Sequence, residues 1–327
     1  MAEVCLVTGG AGSIGSHVVR KLCDGNNEVV ILDNLSAYPF DYYREFGLQN
    51  LPVELVQGDL RDKALLLKLV PNVDRIIHLA ALADVAECTR NPKIEFDINV
   101  LGTQNLLDAA VNSNIKKFTF ISSASVYGSL SGPIEQRKFN ESQGCFPVSN
   151  YGLSKLWGEQ RCLLYHKFYG LPATALRLFS IYGSRQVPKF GSHSWCVAIF
   201  AMQLRLQKPI TIYGDGEQIR DFVHISDVAD AIVCATMSKN STGKIFNVGT
   251  GLPTSINRIC DLICFLTNSI RKVDHLPSRG DDPLGAYADI NQCKTILGWQ
   301  HKTALQDGIQ EYLTWLDSNE HLIPDFI

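Results

Sequence analysis

Eight residues near the start of the chain, Thr8-Gly9-Gly10-Ala11-Gly12-Ser13-Ile14-Gly15, constrain the fold more than any others. They follow an apolar run, Val4 to Val7, and open a helical pattern, Ile14 to Leu22. Glycines at 9, 12 and 15 permit a tight turn, let the backbone approach a pyrophosphate, and pack the helix close to the strand. The helix N-terminus then offers free N–H groups and a partial positive charge to phosphate oxygens. A glycine triplet alone is weak evidence. The strand before it and the helix after it supply the context of a dinucleotide-binding turn.

The elements that follow fit the same plan. Short apolar runs at Glu28 to Leu32, Val53 to Val56, Arg75 to Leu79, Phe118 to Ile121, Ala173 to Leu178 and Ile245 to Val248 read as strands. Helical patterns at Ile94 to Ala110, Tyr151 to Tyr169, Ile225 to Ala235 and Leu305 to Leu316 come between or after them. Strands alternating with helices predict a Rossmann-type doubly wound parallel sheet covered on both faces. Near-continuous apolar strands are what double burial requires. After about residue 180 the elements shorten and proline and glycine punctuate the loops, which predicts a smaller mixed α/β lobe. The expected division is a dinucleotide domain over 1–179 with about 222–249, and a substrate domain over 180–221 and 250–327. At 327 residues, two packed lobes are more natural than one core.

Composition removes several other classes. The chain is 46% hydrophobic and 19% charged, with net charge −3, so it is neither disordered nor built for nucleic acid. No apolar run approaches the ~20 residues that span a bilayer. The N-terminus has no basic n-region, so no signal peptide is expected. The ten cysteines are scattered without a C-x-x-C, which predicts reduced thiols in a cytoplasmic protein and no metal site.

Asp33 ends the second strand, 18 residues beyond Gly15. A carboxylate there accepts from ribose hydroxyls and repels a 2′-phosphate, and no Arg or Lys stands beside it in Asp33-Asn34-Leu35-Ser36, so NAD is favoured over NADP. Gly58-Asp59-Leu60 ends the third strand in the same manner, and Asp59 is within reach of the adenine amino group. Tyr151 and Lys155 lie at i and i+4 on one helix face. A free tyrosine has a pKa near ~10, and a nearby ammonium favours its phenolate. Ser122-Ser123-Ala124-Ser125-Val126-Tyr127-Gly128 follows the Phe118 strand at the carboxyl edge, where open α/β sheets bind ligands.

With these motifs in order, the chain resembles the extended short-chain dehydrogenase/reductase family. Within it, the chain is similar to the NAD-dependent nucleotide-sugar epimerases and dehydratases of the UDP-glucose 4-epimerase type. The matching segments are TGGAGSIG, DNLS, GDLRD, HLAA, SSASVYG, YGLSK, RLFSIYG, YGDGEQIRDFVH and RGDD. The resemblance implies Tyr151 as base, Lys155 as its partner and Ser123 as the catalytic hydroxyl. It implies NAD contacts at Gly9, Gly12, Ser13, Ile14, Asp33, Asn34, Asp59, Leu60, Leu79, Ala80, Ala81 and Asn99, besides Tyr151 and Lys155. For the nucleotide sugar it implies Tyr213 stacked on the base and Arg220 and Arg279 on the diphosphate, with Arg185 a further candidate. Ser125 and Ser180 are further substrate contacts, Ser180 standing near the phosphates where the family often has Asn. Asn150 replaces the usual proline before the tyrosine. In the family, the helices read here at 94–110 and 151–169 pair with their copies, so a homodimer is expected.

The reaction follows from what is missing. Dehydratase relatives carry Asp-Glu just after the catalytic hydroxyl residue, and decarboxylases carry Glu at the second of those positions. Here these are Ala124 and Ser125, neither a carboxylic acid. That favours 4-epimerisation of a UDP-hexose or UDP-N-acetylhexosamine through a 4-keto sugar. A UDP-uronic acid 4-epimerase, a 2-epimerase, a dehydratase or reductase, and a non-catalytic NAD-binding scaffold are the alternatives. The resemblance also implies a size gate two residues before Ala288-Asp289, which is Ala286. A small residue there admits an N-acetyl group, and a tyrosine restricts the site to plain hexoses.

Overall fold

A computed structural model describes residues 2–38, 40–130, 132–187, 195–278 and 285–322. The chain begins with β1 (Val4–Thr8), α1 (Ser13–Asp24) and β2 (Glu28–Asp33). It continues through α2 (Phe40–Glu45), β3 (Val53–Gln57), α3 (Lys63–Leu69) and β4 (Arg75–His78). The short helices α4 (Val85–Arg90) and α5 (Pro92–Glu95) lead by a π-helical stretch, Phe96–Gly102, into α6 (Thr103–Val111). Next come β5 (Lys117–Ser123), β6 (Lys138–Phe139), α7 (Asn150–Tyr169), β7 (Ala173–Leu178) and β8 (Ser180–Tyr182). The later part holds α8 (Cys196–Arg205), β9 (Ile210–Tyr213), β10 (Ile219–Arg220), β11 (Phe222–His224), α9 (Ile225–Met237) and β12 (Ile245–Val248). β13 (Thr254–Ser255), α10 (Ile256–Leu266), β14 (Val273–Leu276), β15 (Tyr287–Ala288) and α11 (Leu305–Ser318) follow.

Seven strands form one parallel sheet in the order β12-β7-β5-β4-β1-β2-β3. The order reverses at β1, so the connections leaving the paired strands β1 and β4 run to opposite sides and leave a crevice beyond their carboxyl ends, where such sheets take their ligands. β1 and β7 are buried almost throughout, which is why they read as mostly apolar runs. One buried cluster joins Val18, Val19 and Leu22 of α1 to Val228 and Ile232 of α9 on one face. A second joins Leu106 of α6 and Cys162 of α7 to Phe118 and Phe120 on the other. A third, around Phe200, Ile259, Ile263 and Tyr312, lies in the later elements.

The helix expected over 94–110 is not uniform. It starts at Pro92, a natural first helical position, and opens into the π-helical stretch before regular α-helix resumes at Thr103. Within this wider turn Asn99 is buried and reaches the backbone of Leu82.

Candidate active site

The glycine turn is shaped by contact. Gly9 has φ +70°, and a Cβ on it would lie 2.7 Å from the Ala80 nitrogen. On Gly15 a Cβ would lie 2.1 Å from the Gly9 oxygen, and on Gly12 it would meet only that oxygen, at 3.3 Å. Gly12 caps α1 without a side-chain hydrogen bond, and the first turn holds Ser13 and Ile14 with no acidic residue. Its N–H groups therefore remain for an anion. The N–H groups of Leu79 and Ala80 both donate to the Thr8 carbonyl, bringing the Leu79-Ala80-Ala81 segment against the turn. This cradle fits a dinucleotide diphosphate.

Asp33 closes the turn from β2. Its carboxylate accepts from the Ala11 nitrogen at 3.0 Å and the Leu35 nitrogen at 2.9 Å. Burial raises its pKa, and these two bonds oppose the rise. Asn34 donates to Asp59 at 2.9 Å, while Arg61 forks onto the same carboxylate with two bonds of 2.8 Å. Arg61 holds Asp59 well below the usual carboxylate range. This corner thus does contain an arginine, which reading along Asp33 to Ser36 did not reveal. Its fork is occupied by Asp59. Leu60 is buried under Gly102, whose Cβ would lie 2.9 Å from that of Leu60.

We expect Asp33→Ala to weaken NAD binding roughly tenfold, the equivalent of one charge-assisted hydrogen bond of ~1.5 kcal/mol. It should also raise tolerance for NADP. Dissociation constants for both cofactors provide the check, and equal affinity of the native protein for the two would refute the assignment.

His78 bridges Thr8 at 2.8 Å and Thr103 at 2.9 Å, and burial lowers its pKa to about 3, so it is a neutral strut. Asn99 accepts from the Leu82 nitrogen at 2.8 Å. Its amide donates to the Leu82 carbonyl, Glu95 and Ser154. The side chain thereby holds the segment just after Ala81.

At the carboxyl edge of β5, Ser123 accepts from the Ser125 nitrogen and donates to the Ser125 hydroxyl, each at 3.1 Å. Burial pushes the Tyr151 phenol up to about 12, and the Ser123 hydroxyl acts against that rise. Lys155 donates to the Ile121 carbonyl at 2.9 Å, and its Nζ lies 5.8 Å from the Tyr151 ring centroid. Burial brings Lys155 down to about 8, with Cys88 and Glu95 acting against the fall. α7 places both side chains because Ser149 caps it and Gly152 admits close approach, its Cβ position being 2.6 Å from the Ser125 carbonyl.

On the opposite side, Asp221 organises the later loops. It is 1% exposed and accepts from the Thr250 nitrogen and hydroxyl, the Gly251 nitrogen and the Ala288 nitrogen. Ser180 opens β8 and donates its N–H to the Asp221 carbonyl. Arg220 meets the turn before Ala286, since a Cβ on Gly285 would lie 2.5 Å from its Nη1. Tyr213 is half-buried at the end of β9, and Gly214 beside it faces Ser278. Arg279 lies outside the described residues. Ala286 packs on a small cluster that includes Ala124, Tyr127 and Leu156, so it shares a wall with the Ser123 and Lys155 segments.

The Arg185 backbone is left-handed, φ +65°, and its guanidinium lies 5.6 Å from the Phe46 ring centroid, facing Arg20. Burial lowers its pKa to about 10. The guanidinium thus lies over an aromatic face near the end of α2. Sequence reading passed over Asp221, which stands inside the quoted YGDGEQIRDFVH, and Glu159, four residues beyond Lys155.

A parallel sheet whose carboxyl edge gathers a diphosphate cradle, a ribose acid and a Ser-Tyr-Lys set defines an NAD-dependent enzyme of the extended short-chain dehydrogenase/reductase class. Over residues 5–249 the chain matches the NAD dependent epimerase/dehydratase family, and it belongs to that family. A Methanocaldococcus jannaschii protein, provisionally named a UDP-glucose 4-epimerase, is 38% identical over 316 residues, 96% of this chain and 98% of the relative. The structure of a Methanobrevibacter ruminantium UDP-N-acetylglucosamine 4-epimerase with UDP-N-acetylmuramic acid is similar at TM-score 0.89 and 31% identity, covering 97% and 99% of the two chains. So is that of a Bacillus cereus UDP-glucuronic acid 4-epimerase with UDP-glucuronic acid and NAD, at TM-score 0.87 and 30% identity, covering 96% and 99%.

Proposed function

We propose that this protein is an NAD-dependent 4-epimerase of a UDP-sugar, acting on a UDP-hexose or UDP-N-acetylhexosamine. The observation that carries the reading is the Ser123–Tyr151–Lys155 set with Ala124 and Ser125 beside it, a base without a second acid. Bound NAD supplies a reversible hydride acceptor. Tyr151 takes the proton of the sugar 4-hydroxyl and later returns it. Ser123 orients that hydroxyl, and Lys155 keeps positive charge beside the phenolate. Dehydration or decarboxylation would need a proton shuttle where Ala124 and Ser125 stand. Residues 1–179 with about 222–249 would hold NAD, and 180–221 with 250–327 the nucleotide sugar. Tyr213, Arg220 and Arg279 would receive base and diphosphate, with Ser180 near the phosphates and Ser125 a further substrate contact.

Ala286 supports acceptance of an N-acetylated sugar, because a methyl group fills little space and it packs on the same small cluster as Ala124. We expect native protein to interconvert UDP-GlcNAc and UDP-GalNAc, beside UDP-Glc and UDP-Gal. Ala286→Tyr should shift the kcat/KM ratio at least tenfold towards the plain hexoses. Native protein that ignores UDP-GlcNAc, or an unchanged ratio in the variant, would refute the gate. Turnover of UDP-glucuronic acid alone would move the assignment to a uronic acid epimerase.

A homodimer through the helices of 94–110 and 151–169 belongs to the same reading. Ile94, Phe96 and Leu101 are exposed on one, Leu153, Leu164 and Phe168 on the other, more apolar surface than a monomer usually leaves open. Light scattering at micromolar concentration should give twice the chain mass, and a monomer would count against the pairing. All ten cysteines are free thiols, which supports a cytoplasmic setting. No helix among the described residues is long and apolar enough to cross a membrane.

A further inference from the structure

Behind the catalytic side chains lies an ion pair with almost no exposure to solvent. Glu159 on α7 is 0% exposed and Arg177 on β7 is 2% exposed. Arg177 forks onto the carboxylate through Nε at 2.9 Å and Nη2 at 2.5 Å. The Ser122 hydroxyl donates to the same carboxylate at 3.1 Å. The Arg177 guanidinium also lies 4.6 Å from the Tyr127 ring centroid. Tyr127 stacks on Phe139 at 4.3 Å and donates to the Asn247 side chain at 2.7 Å. Asn247 in turn donates to the carbonyls of Phe139 and Asp289.

Stability does not explain such a pair. Burying two charges forfeits their hydration, and apolar replacements of similar volume are often neutral or stabilising. Position does explain it. Glu159 is one helical turn beyond Lys155 and two beyond Tyr151. Ser122 is the residue before Ser123. The carboxylate therefore ties the helix that carries the base to the strand end that carries the hydroxyl. Close packing of the two makes the tie sensitive, since a Cβ on Gly158 would lie 2.4 Å from the Phe120 ring.

We propose that Glu159 and Arg177 are positioning residues that set where the Ser123 hydroxyl stands relative to the Tyr151 phenol. Through Tyr127 and Asn247 they also fix the 286–289 segment against it. The inference rests on the catalytic reading of Ser123, Tyr151 and Lys155. No covalent step is assigned to the pair, which touches neither substrate nor cofactor.

Two variants test it. Glu159→Leu/Arg177→Met removes both charges together, leaving no unpaired ion, and Ser122→Ala removes only the tie to β5. The double variant should fold with NAD bound and with KM for UDP-Glc or UDP-GlcNAc within twofold of native. Its kcat should fall at least tenfold, and that of Ser122→Ala about threefold. In both, the acid limb of the kcat–pH profile should move to higher pH, because a Ser123 hydroxyl displaced from Tyr151 opposes less of the burial that makes the phenol hard to ionise. Crystal structures should show the Ser123 Oγ to Tyr151 Oη separation lengthened. Native kcat with an unmoved acid limb overturns the proposal. So does a fall in kcat accompanied by loss of NAD with the limb unmoved, which is a structural role. If the double variant does not fold, Ser122→Ala decides by the same measurements. If native protein turns over no UDP-sugar, the catalytic reading fails, and the crystallographic separation alone decides the positioning.

Discussion

Tyr151→Phe should lower kcat by about three orders of magnitude, the middle of the range for losing a general acid–base group. NAD content and UDP-sugar affinity should change little, because the phenyl ring keeps its packing and loses only the hydroxyl. The environment makes the loss this large. Burial holds the phenol near 12 and the Lys155 ammonium near 8, so each charged form is costly in the dry site and the pair must share one field. Without cofactor the phenol would ionise only after the ammonium had lost its proton, so the bell-shaped profile requires the positive ring of bound NAD to bring the phenol below the ammonium. Rate rises with pH as Tyr151 loses its proton, helped by the positive ring of bound NAD. It falls above about 8 as Lys155 loses its own proton. Steady-state kinetics from pH 6 to 10 on native protein and variant provide the test. Retention of more than about a tenth of native kcat in Tyr151→Phe would remove the tyrosine from the base role.

What the sequence disclosed and what it hid divide along a physical line. The glycine turn was legible because backbone sterics act within a few residues, and positions 9, 12 and 15 have no alternative use. β7 and β12 were placed residue for residue, since strands buried on both faces leave a largely apolar signature even around Arg177 and Asn247. Tyr151 and Lys155 were legible as an i, i+4 pair on a long helix. The π-helical stretch at 96–102 was not, because one extra residue per turn hardly disturbs hydrophobic periodicity. Arg61 escaped because its partner Asp59 and the Asp33 it neighbours meet only when β2 and β3 lie side by side. Glu159 and Arg177 escaped for the same reason: a helix and a strand bring them together, and neither residue announces burial by type. The aromatic neighbour of Arg185 was hidden likewise, because an arginine's destination depends on which acceptor or ring lies within reach.

The largest expected loss of cofactor comes from Gly15→Ala. Its added methyl would sit 2.1 Å from the Gly9 oxygen, with the Gly10 Cα at 2.7 Å. Both are backbone atoms of the same turn, so no side chain can rotate away. α1 must withdraw from β1, and overpacking of this kind costs about 1–3 kcal/mol. The withdrawal spreads the N–H groups that would grip the diphosphate, and NAD should fall from near one per chain to below roughly a tenth. Such a loss alone would not separate a cradle from a structural turn. Gly12→Ala does. A Cβ at Gly12 meets only the Gly9 oxygen at 3.3 Å, and its φ of −74° is open to alanine. The fold should therefore survive with its melting temperature little changed in cofactor-free protein. The methyl would nevertheless stand where the backbone must approach the diphosphate. NAD released by acid from each purified variant, measured beside thermal unfolding, gives both quantities. Full NAD content in Gly12→Ala would mean that the turn is a packing device and the diphosphate lies elsewhere.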